Sequence, residues 1–209
     1  MDRKGEMMNN SKLIDSLVEN GVLKTPRLIE AFLSVDRIDF VPRELGSMAY
    51  DDMPLPIGAG QTISQPYTVA FMLELLQVKS TDRVLDVGSG SGWTTALLAS
   101  MSKHVDAVER VEELVEFSKK NLDKYAFTNV SVHQAKRTLG LKGEHFDKIL
   151  VSCAADELPW SLLVQLSVGG VMVIPVMNSI VKVIKNGDGS IQMQEHPGFV
   201  FVPLIRDDL

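Results

Sequence analysis

Three glycines and the carboxylate of Asp86 lie where the sequence pattern changes from strand to helix, and a second carboxylate, Glu109, lies at the next such change. A short apolar run ends at Asp86, Gly88, Gly90 and Gly92 follow in a G-x-G-x-G spacing, and a helical pattern then begins. Glycines at such a turn let the backbone bend sharply and let a ligand lie against it, and the free N–H groups of the next helix carry partial positive charge. We therefore expect a nucleoside-type ligand at this turn.

The acidic residues restrict the identity of that ligand. The glycine spacing is not the G-x-G-x-x-G of dinucleotide sites. A carboxylate at Asp86 would repel a pyrophosphate but can hold an ammonium group, which favours S-adenosylmethionine over NAD. Glu109 ends the next predicted strand, where a carboxylate can accept hydrogen bonds from both ribose hydroxyls. Taken singly, the glycines could form a ligand-free turn and Glu109 could be a solvated charge beside Arg110; together they indicate a cofactor site.

The elements that must position these residues alternate between strand and helix. Predicted strands cover 83–87, 105–109, 130–134, 146–152 and 171–176, and predicted helices cover 93–102, 111–125 and 160–166. This alternation indicates an α/β fold with a mostly parallel sheet. Three further strands, at 180–185, 191–195 and 199–204, are expected to end the sheet in antiparallel fashion, the first two as a hairpin.

The first part of the chain has a different pattern. It predicts a helix over 11–20, a second helix from Pro26, and a third helix that Ser64 or Gln65 caps and that ends near Leu76. Between the second and third helices, residues 39–61 contain repeated prolines and glycines and are expected to be irregular. A long loop in a compact chain is usually functional or a lid.

Composition excludes several classes of protein. The chain has 209 residues, a net charge of −6 and 45% hydrophobic residues, so no overall basic field draws it to nucleic acid or to an anionic membrane. The single cysteine, Cys153, cannot form an internal disulfide, which fits a reducing cytoplasm. Residues 1–10 lack the apolar run of a signal peptide. None of the four histidines has metal-ligand spacing, so no metal is expected.

The segment 54–66, which reads PLPIGAGQTISQP, is more specific than the glycine loop. It resembles the hallmark of the protein-L-isoaspartate (D-aspartate) O-methyltransferase family, whereas the glycine loop alone would fit any class I methyltransferase. The resemblance extends from about Leu13 to Leu204. It includes FVPR at 40–43, AYDD at 49–52, FDKILVSCAA at 146–155, LP at 158–159, QL at 165–166, GGVMVIPV at 169–176 and FVPL at 201–204.

The resemblance implies a fold and a domain organisation. The expected fold is a Rossmann-like, doubly wound α/β sheet that is mostly parallel, with antiparallel C-terminal strands and an N-terminal helical and irregular addition that binds substrate. We interpret residues 1–209 as a single methyltransferase domain. Residues 1–76 would form the N-terminal helical and substrate-loop region, and residues 77–209 the α/β core that binds S-adenosylmethionine.

The resemblance also implies a reaction and its residues. The family methylates the free α-carboxylate of L-isoaspartyl residues, leaving S-adenosyl-L-homocysteine; the ester collapses to a succinimide, and hydrolysis returns part of it to normal aspartate. Expected partners are isoaspartyl-containing proteins and peptides, with no nucleic acid or membrane partner. We expect a cytoplasmic monomer, with an oligomer left open. The expected residues are Ser64 as catalytic; Thr62, Ile63 and Gln65 at the substrate; and Asp86, Gly88, Ser89, Gly90, Gly92, Glu109 and Gln134 at the cofactor.

Two departures from the family pattern leave alternatives open. Where the family carries Gly-Asp-Gly, this chain has Gln134, Ala135 and Lys136, so the carboxylate that contacts the adenine amino group is missing at Ala135, unless the Gln134 carbonyl replaces it. The loop after Val176 is also shortened. One alternative is a methyltransferase of this fold acting on another substrate, such as a small carboxylic acid or a nucleic-acid base; another is a non-catalytic S-adenosylmethionine-binding protein.

Overall fold

A seven-stranded sheet forms the centre of the chain in the computed structural model, which describes residues 3–135 and 138–204, with side chains from Asn10 onward. The helices are α1 (Arg3–Glu19), α2 (Pro26–Ser34), α3 (Pro66–Leu76), α4 (Trp93–Met101), α5 (Glu112–Leu122) and α6 (Trp160–Gln165). The strands are β1 (Leu55–Gly58), β2 (Gln61–Ile63), β3 (Arg83–Val87), β4 (His104–Glu109), β5 (Val130–Gln134), β6 (Phe146–Val151), β7 (Leu166–Val176), β8 (Ser179–Lys185) and β9 (Ile191–Pro197). In this described part, no helix is both long and apolar enough to cross a bilayer.

The order of the strands in the sheet is β5-β4-β3-β6-β7-β8-β9. The first five strands in that order are parallel, and β8 and β9 are antiparallel to their neighbours. The chain therefore builds outward from β3 in one direction through β4 and β5, and in the other direction through β6 and β7. The crevice between β3 and β6 is a topological switch point, where ligands of open α/β sheets bind. The expected doubly wound sheet with antiparallel C-terminal strands is confirmed.

Both faces of the sheet are covered, as the apolar runs of its parallel strands require. Val84 faces a hydrophobic cluster that includes residues of α1 to α5, and its neighbour Leu85 faces a second cluster that includes residues of α6. Leu17 and Phe32, from the N-terminal helices, belong to the first cluster. The N-terminal helices thus share a core with the sheet; the single domain over 1–209 and its regions 1–76 and 77–209 stay a prediction.

The segment 39–61 is more regular than the sequence predicts. Arg37–Phe40 and Arg43–Met48 form short 3-10 helices, and β1 and β2 then pair as a hairpin in which Leu55 lies opposite Ile63. The residues that join the two strands, 58–60, all have positive φ angles. The glycines thus allow a tight turn here, and the hairpin places the residues that follow it beside the sheet.

The prediction of a strand over 199–204 is wrong. Gly198, with a φ of 99°, turns the chain away from β9, and the N–H groups of Gly198 and Phe199 both donate to the carbonyl of Asn178. The Phe199 ring stacks on Phe71 instead, with 5.1 Å between the ring centroids. Within the described residues 199–204, Pro203 forms an isolated parallel bridge with Ala154, which differs from the expected antiparallel pairing at the end of the sheet. The tail therefore crosses toward the carboxyl end of β6.

The shortened loop after β7 is a two-residue turn. Val176 pairs directly with Ser179, which leaves only Met177 and Asn178 to connect β7 to β8. Met177 has a φ of 51°, a left-handed conformation that side chains rarely adopt, and is largely exposed. β7 and β8 therefore form a tight hairpin with no longer loop between them.

Candidate functional site

A cavity of about 720 Å³ opens at the carboxyl ends of β3, β4 and β6. Because Val87 of β3 pairs with Val108 of β4 and with Val151 of β6, the loops that follow these strands must meet at this edge. The glycine loop and Glu109 form one wall, and residues 61–64 form a second. A third wall is formed by residues 138–140, 157–161 and 202–204.

Two of the three glycines of the loop shape the cavity. Gly88 and Gly90 have φ angles of 76° and 55° and line it. A Cβ at Gly88 would lie 3.2 Å from the Cys153 Sγ, and one at Gly90 would lie 3.2 Å from the Ile57 Cδ1. The Gly88 N–H donates to the Val108 carbonyl at 2.8 Å, which fixes the loop against β4. Side chains at these positions would fill the concave surface that a ligand needs.

Gly92 has a packing role and lies outside the cavity lining. Its φ is 90°, and it occupies the N-cap position of α4. A Cβ there would lie 3.2 Å from the Ser118 Cβ and 3.4 Å from the Leu122 Cγ, both on α5. Gly92 therefore allows α5 to pack closely against the start of α4, and any effect on a ligand would pass through the loop.

Glu109 joins the end of β4 to the glycine loop. One carboxylate oxygen accepts from the N–H groups of Arg110, at 2.6 Å, and Val111, at 2.9 Å. The other oxygen accepts from the Gly90 N–H at 2.8 Å. A carboxylate offers about four acceptor positions, so these three bonds hold Glu109 in place and leave capacity for a ligand hydroxyl at the cavity wall that it lines.

Asp86 lies beneath the loop and is not part of the cavity lining. It is completely buried, and its Oδ2 accepts from the hydroxyls of Thr94, at 2.9 Å, and Thr95, at 2.7 Å. Its Oδ1 is buried and has no hydrogen-bond partner in the part of the chain that the structure describes. Burial raises the pKa of Asp86 to about 6; the two threonine hydroxyls lower it and the charge of Glu109 adds to the rise. The predicted contact with an ammonium group would have to reach this carboxylate from above.

The unpartnered polar atoms near the loop indicate that a polar ligand fits the site. The Ser89 Oγ lies on the cavity wall, is buried, and has no hydrogen-bond partner in the described residues. Two further buried atoms lack a partner among these residues: the Trp93 Nε1, whose residue also lines the cavity, and the Asp86 Oδ1, whose residue does not. Buried polar groups are normally paired. Two acceptors and one indole donor around a cradle of glycine backbone therefore suit a ligand that carries amino and hydroxyl groups.

The second wall brings three of the four predicted substrate residues to the cavity. Thr62, Ile63 and Ser64 line it, and the Ser64 hydroxyl makes no hydrogen bond to any described residue. Gln65 does not line the cavity: its side-chain NH₂ donates to the Asp52 carbonyl at 3.1 Å. Neither Ser64 nor Gln65 caps α3 through its side chain; the Asp52 carboxylate does, by accepting from the Tyr67 N–H at 2.8 Å. The Ser64 hydroxyl is therefore available to a ligand.

The region after β5 differs from the expected cofactor contact. Gln134 is exposed and lines a separate cleft beside Arg83, Asp106 and His133, whereas Ala135 lines the main cavity. The predicted role of Gln134 at the cofactor would require its side chain to leave that cleft. Lys136, the third residue of the departure from the family pattern, lies outside the described residues.

Gln165 and Arg37 organise the walls and were not found from the sequence. The Gln165 side-chain oxygen accepts from the Leu141 N–H at 2.7 Å, and its NH₂ donates to the Leu139 carbonyl at 2.9 Å, which fastens the third wall. Arg37 donates to the Ser64 carbonyl at 3.1 Å. Gln165 stands in a matched motif, which was the only signal for it; Arg37 precedes the first matched motif and carried none.

Cys153 lines the cavity, and its surroundings disfavour the thiolate form. Burial, with smaller contributions from the charges of Glu109 and Asp86, raises the pKa of its thiol to about 12. Its sulfur instead packs against the Gly88 position. In the described ranges, no group of three or more His, Cys, Asp or Glu side chains is arranged to hold a metal ion. The arrangement is suited to binding and orienting two ligands side by side.

Comparisons with known proteins cover almost the whole chain. Residues 8–208 match the family model described as Protein-L-isoaspartate(D-aspartate) O-methyltransferase. The protein-L-isoaspartate O-methyltransferase of Ignicoccus hospitalis is 41% identical over 206 residues, which cover 94% of this chain and 97% of the relative. The enzyme of that name from Pyrococcus horikoshii is 41% identical over 214 residues, covering 99% of this chain and 97% of the relative.

Solved structures give the same relationship. A Plasmodium falciparum chain described as a protein-L-isoaspartate O-methyltransferase, in complex with S-adenosyl-L-homocysteine, superposes with a TM-score of 0.80 at 28% identity and covers 94% of this chain and 98% of its own length. A second structure, titled protein-L-isoaspartate O-methyltransferase, superposes with a TM-score of 0.82 over 93% of this chain and 65% of its own length. Its 24% identity makes it a likeness of fold alone.

We expect Asp86 to make the stability of the ligand-free chain depend on pH. Burial raises its pKa from 3.8 to about 6, so the folded chain holds this proton more tightly than the unfolded chain does. The resulting stabilisation is full below pH 3.8 and is lost as the pH rises through about 6. The loss is on the order of 3 kcal/mol, since one pKa unit is about 1.4 kcal/mol. Urea denaturation of Asp86→Asn should show a smaller loss than wild type over this range.

The exposed carboxylate Asp156 provides the matched control. Asp156→Asn should retain the wild-type difference in free energy of unfolding between about pH 4 and pH 7. If Asp86→Asn retained that difference as well, the buried carboxylate would not be the group that titrates.

Proposed function

The chain belongs to the protein-L-isoaspartate (D-aspartate) O-methyltransferase family, and we propose that it methylates the α-carboxylate of L-isoaspartyl residues in proteins and peptides. The observation that carries the proposal is the meeting of two walls in one cavity. One wall consists of the glycine loop and Glu109, which suit a nucleoside cofactor; the other presents the unpaired Ser64 hydroxyl. The methyl donor and the accepting carboxylate can therefore bind side by side in this cavity, in direct contact with each other.

The first wall suits S-adenosylmethionine in three respects. The backbone at Gly88 and Gly90 forms the cradle, and Glu109 has capacity to accept from a ribose hydroxyl. The Ser89 Oγ, which no described residue binds, can bond a polar group. We assign Asp86 an electrostatic role toward the ammonium group, acting from beneath the loop, since it is fully buried. When bound, S-adenosylmethionine supplies an electrophilic methyl group, whose transfer to a carboxylate oxygen leaves S-adenosyl-L-homocysteine.

The second wall has to bind and orient the accepting carboxylate. An α-carboxyl group has a pKa near ~3.5 and is ionised at neutral pH, so no general base is needed. We assign the Ser64 hydroxyl the donation of a hydrogen bond to this carboxylate, with Thr62 and Ile63 shaping the pocket around it. Gln65 acts through its bond to the Asp52 carbonyl, as a positioning residue. Correct alignment of reacting groups can lower a barrier by roughly 7–11 kcal/mol at its upper range.

The adenine end of the cofactor site is the part most changed from the family pattern. Ala135 lines the cavity without a carboxylate, and Gln134 lies in the neighbouring cleft. Loss of one hydrogen bond to a neutral donor costs about 0.5–1.5 kcal/mol, so cofactor affinity would fall by about tenfold at most. A compensating contact from Gln134 stays a prediction. So do the monomeric state, the cytoplasmic location and the lack of nucleic-acid and membrane partners.

The proposed reaction is tested by methyl transfer to a matched pair of peptides that differ only in an isoaspartyl or an aspartyl linkage. With methyl-labelled S-adenosylmethionine, we expect base-labile label on the isoaspartyl peptide alone, because only that linkage presents a free α-carboxylate at the altered residue. Equal label on both peptides would point to another carboxylate substrate. Tight cofactor binding with no label on either would contradict the proposal and favour a non-catalytic binding protein.

Substitutions at the two walls should separate substrate handling from cofactor binding. Ser64→Ala should lower kcat/KM for the isoaspartyl peptide by about tenfold or more while leaving the Kd for S-adenosyl-L-homocysteine nearly unchanged. Glu109→Ala should raise that Kd by about tenfold or more, since it removes a charged acceptor. Steady-state kinetics and calorimetry measure the two quantities.

Ser80→Ala, at an exposed turn beyond α3, is the control and should change neither quantity. An unaltered kcat/KM in Ser64→Ala would remove Ser64 from the site. An unaltered Kd in Glu109→Ala would show that Glu109 does not bind the ribose.

A further inference from the structure

The geometry points to Arg37 as the positioning residue that holds the Ser64 wall in register with the cofactor loop, an inference that rests on the proposed function of the cavity. Arg37 does not line the cavity and is completely buried. It lies in the first 3-10 helix, directly after α2. From there its side chain reaches a segment that is distant in sequence and close in space.

Arg37 binds four backbone carbonyls in one fan. Its Nη1 donates to the carbonyls of Ala49, at 2.8 Å, and Asp51, at 3.2 Å. Its Nη2 donates to the carbonyls of Met53, at 2.9 Å, and Ser64, at 3.1 Å. One guanidinium thus ties together the chain before the β1–β2 hairpin and the residue just after it. Residues 49–53 therefore cannot shift against Ser64 without breaking these bonds.

The other side of the guanidinium meets the cofactor wall. The Arg37 Cζ lies 5.3 Å from the centroid of the Trp93 ring, within the range of a cation–π contact. Trp93 is the first residue of α4, directly after the glycine loop, and it lines the cavity. Phe32 packs edge-on against the same ring at 5.7 Å. Arg37 is therefore placed between the wall that carries Ser64 and the loop that carries Gly88 and Gly90.

The backbone around Arg37 is itself anchored. The Asp36 carboxylate accepts from the Ile38 N–H at 3.2 Å and from the Tyr50 hydroxyl at 3.0 Å. The Asp36 N–H donates to the Tyr125 hydroxyl oxygen, which in turn donates to the Asp39 carboxylate at 2.8 Å. These bonds hold the backbone of residues 36–39 in place. The Arg37 guanidinium is therefore held in place too, and it restrains the carbonyls that it binds.

Arg37 acts through hydrogen bonds to backbone carbonyls and not through an ion pair. In the described part of the chain, no carboxylate lies within salt-bridge distance of its side chain. Burial lowers its pKa to about 10, partly offset by the charges of Asp52 and Asp51, so it stays protonated at neutral pH. A planar guanidinium presents five donors in a rigid fork, whereas a lysine ammonium presents three at a single point. Four converging carbonyls therefore select arginine.

Arg37→Met tests the inference because methionine retains an unbranched side chain but removes every donor. We expect kcat/KM for the isoaspartyl peptide to fall between about tenfold and a hundredfold, since misplacement of a binding group by about 1 Å can cost that much. The Kd for S-adenosyl-L-homocysteine should stay within about threefold of wild type. Hydrogen exchange of the backbone amides in residues 49–64 should accelerate, while that of β3 and β4 should not.

Arg37→Lys retains the charge and part of the donor set, so both readouts should lie between those of wild type and Arg37→Met. This variant carries the test if Arg37→Met does not fold. The control is Arg43→Met, six residues further along at an exposed position, which should leave both readouts unchanged.

Wild-type exchange and wild-type kcat/KM in the folded Arg37 variants would overturn the inference. An equal loss of cofactor affinity would overturn it too, because the residue would then support the fold as a whole. If the wild-type chain methylates no isoaspartyl peptide, the proposed function fails, yet the exchange of residues 49–64 in Arg37→Met still decides whether Arg37 holds this wall.

Discussion

Strand β3 is hydrogen-bonded in parallel to β4 on one side and to β6 on the other, and the geometry of the site depends on that pairing. The register sets Val87 opposite Val108 and Val151, so three strands end at the same level. The turn after β3 therefore crosses this edge of the sheet. Its glycines allow the crossing without side chains that would fill the crevice. Glu109, at the end of β4, then reaches the Gly90 N–H and holds the turn in its place.

Buried polar groups carry much of the organisation around that edge. Asp86, Glu109 and Arg37 are all buried, and each makes several hydrogen bonds, at least one of them to a residue eight or more positions away. Burying a charge is costly unless hydrogen bonds replace its hydration. For Glu109 and Arg37, backbone groups make these hydrogen bonds. The bonds therefore also fix the loops that carry those backbone groups. Asp86 retains one oxygen that no described residue binds, so its negative charge is the least compensated of the three.

The sequence predicted those features that depend on local pattern. Alternating strands and helices, the glycine turn and the placement of Ser64 beside it follow from periodicity, residue type and family motif. The roles of Arg37, Gln165 and Asp52 were missed because their side chains bind backbone atoms far along the chain. Backbone N–H and carbonyl groups occur in almost every residue, so the sequence does not show which of them a side chain will bind. The strand expected over 199–204 failed for a related reason: its apolar residues pack on Phe71 and near Ala154 rather than on a strand edge.

The central claim is that one cavity brings the carboxylate of an isoaspartyl residue, bound at Ser64, next to a cofactor bound at the glycine loop. A crystal structure of the chain with S-adenosyl-L-homocysteine and an isoaspartyl peptide tests it most directly. We expect the peptide's α-carboxylate within about 3 Å of the Ser64 Oγ, a hydrogen-bond distance, and a ribose hydroxyl on Glu109. A peptide carboxylate bound outside this cavity, or a ribose bound away from Glu109, would contradict it.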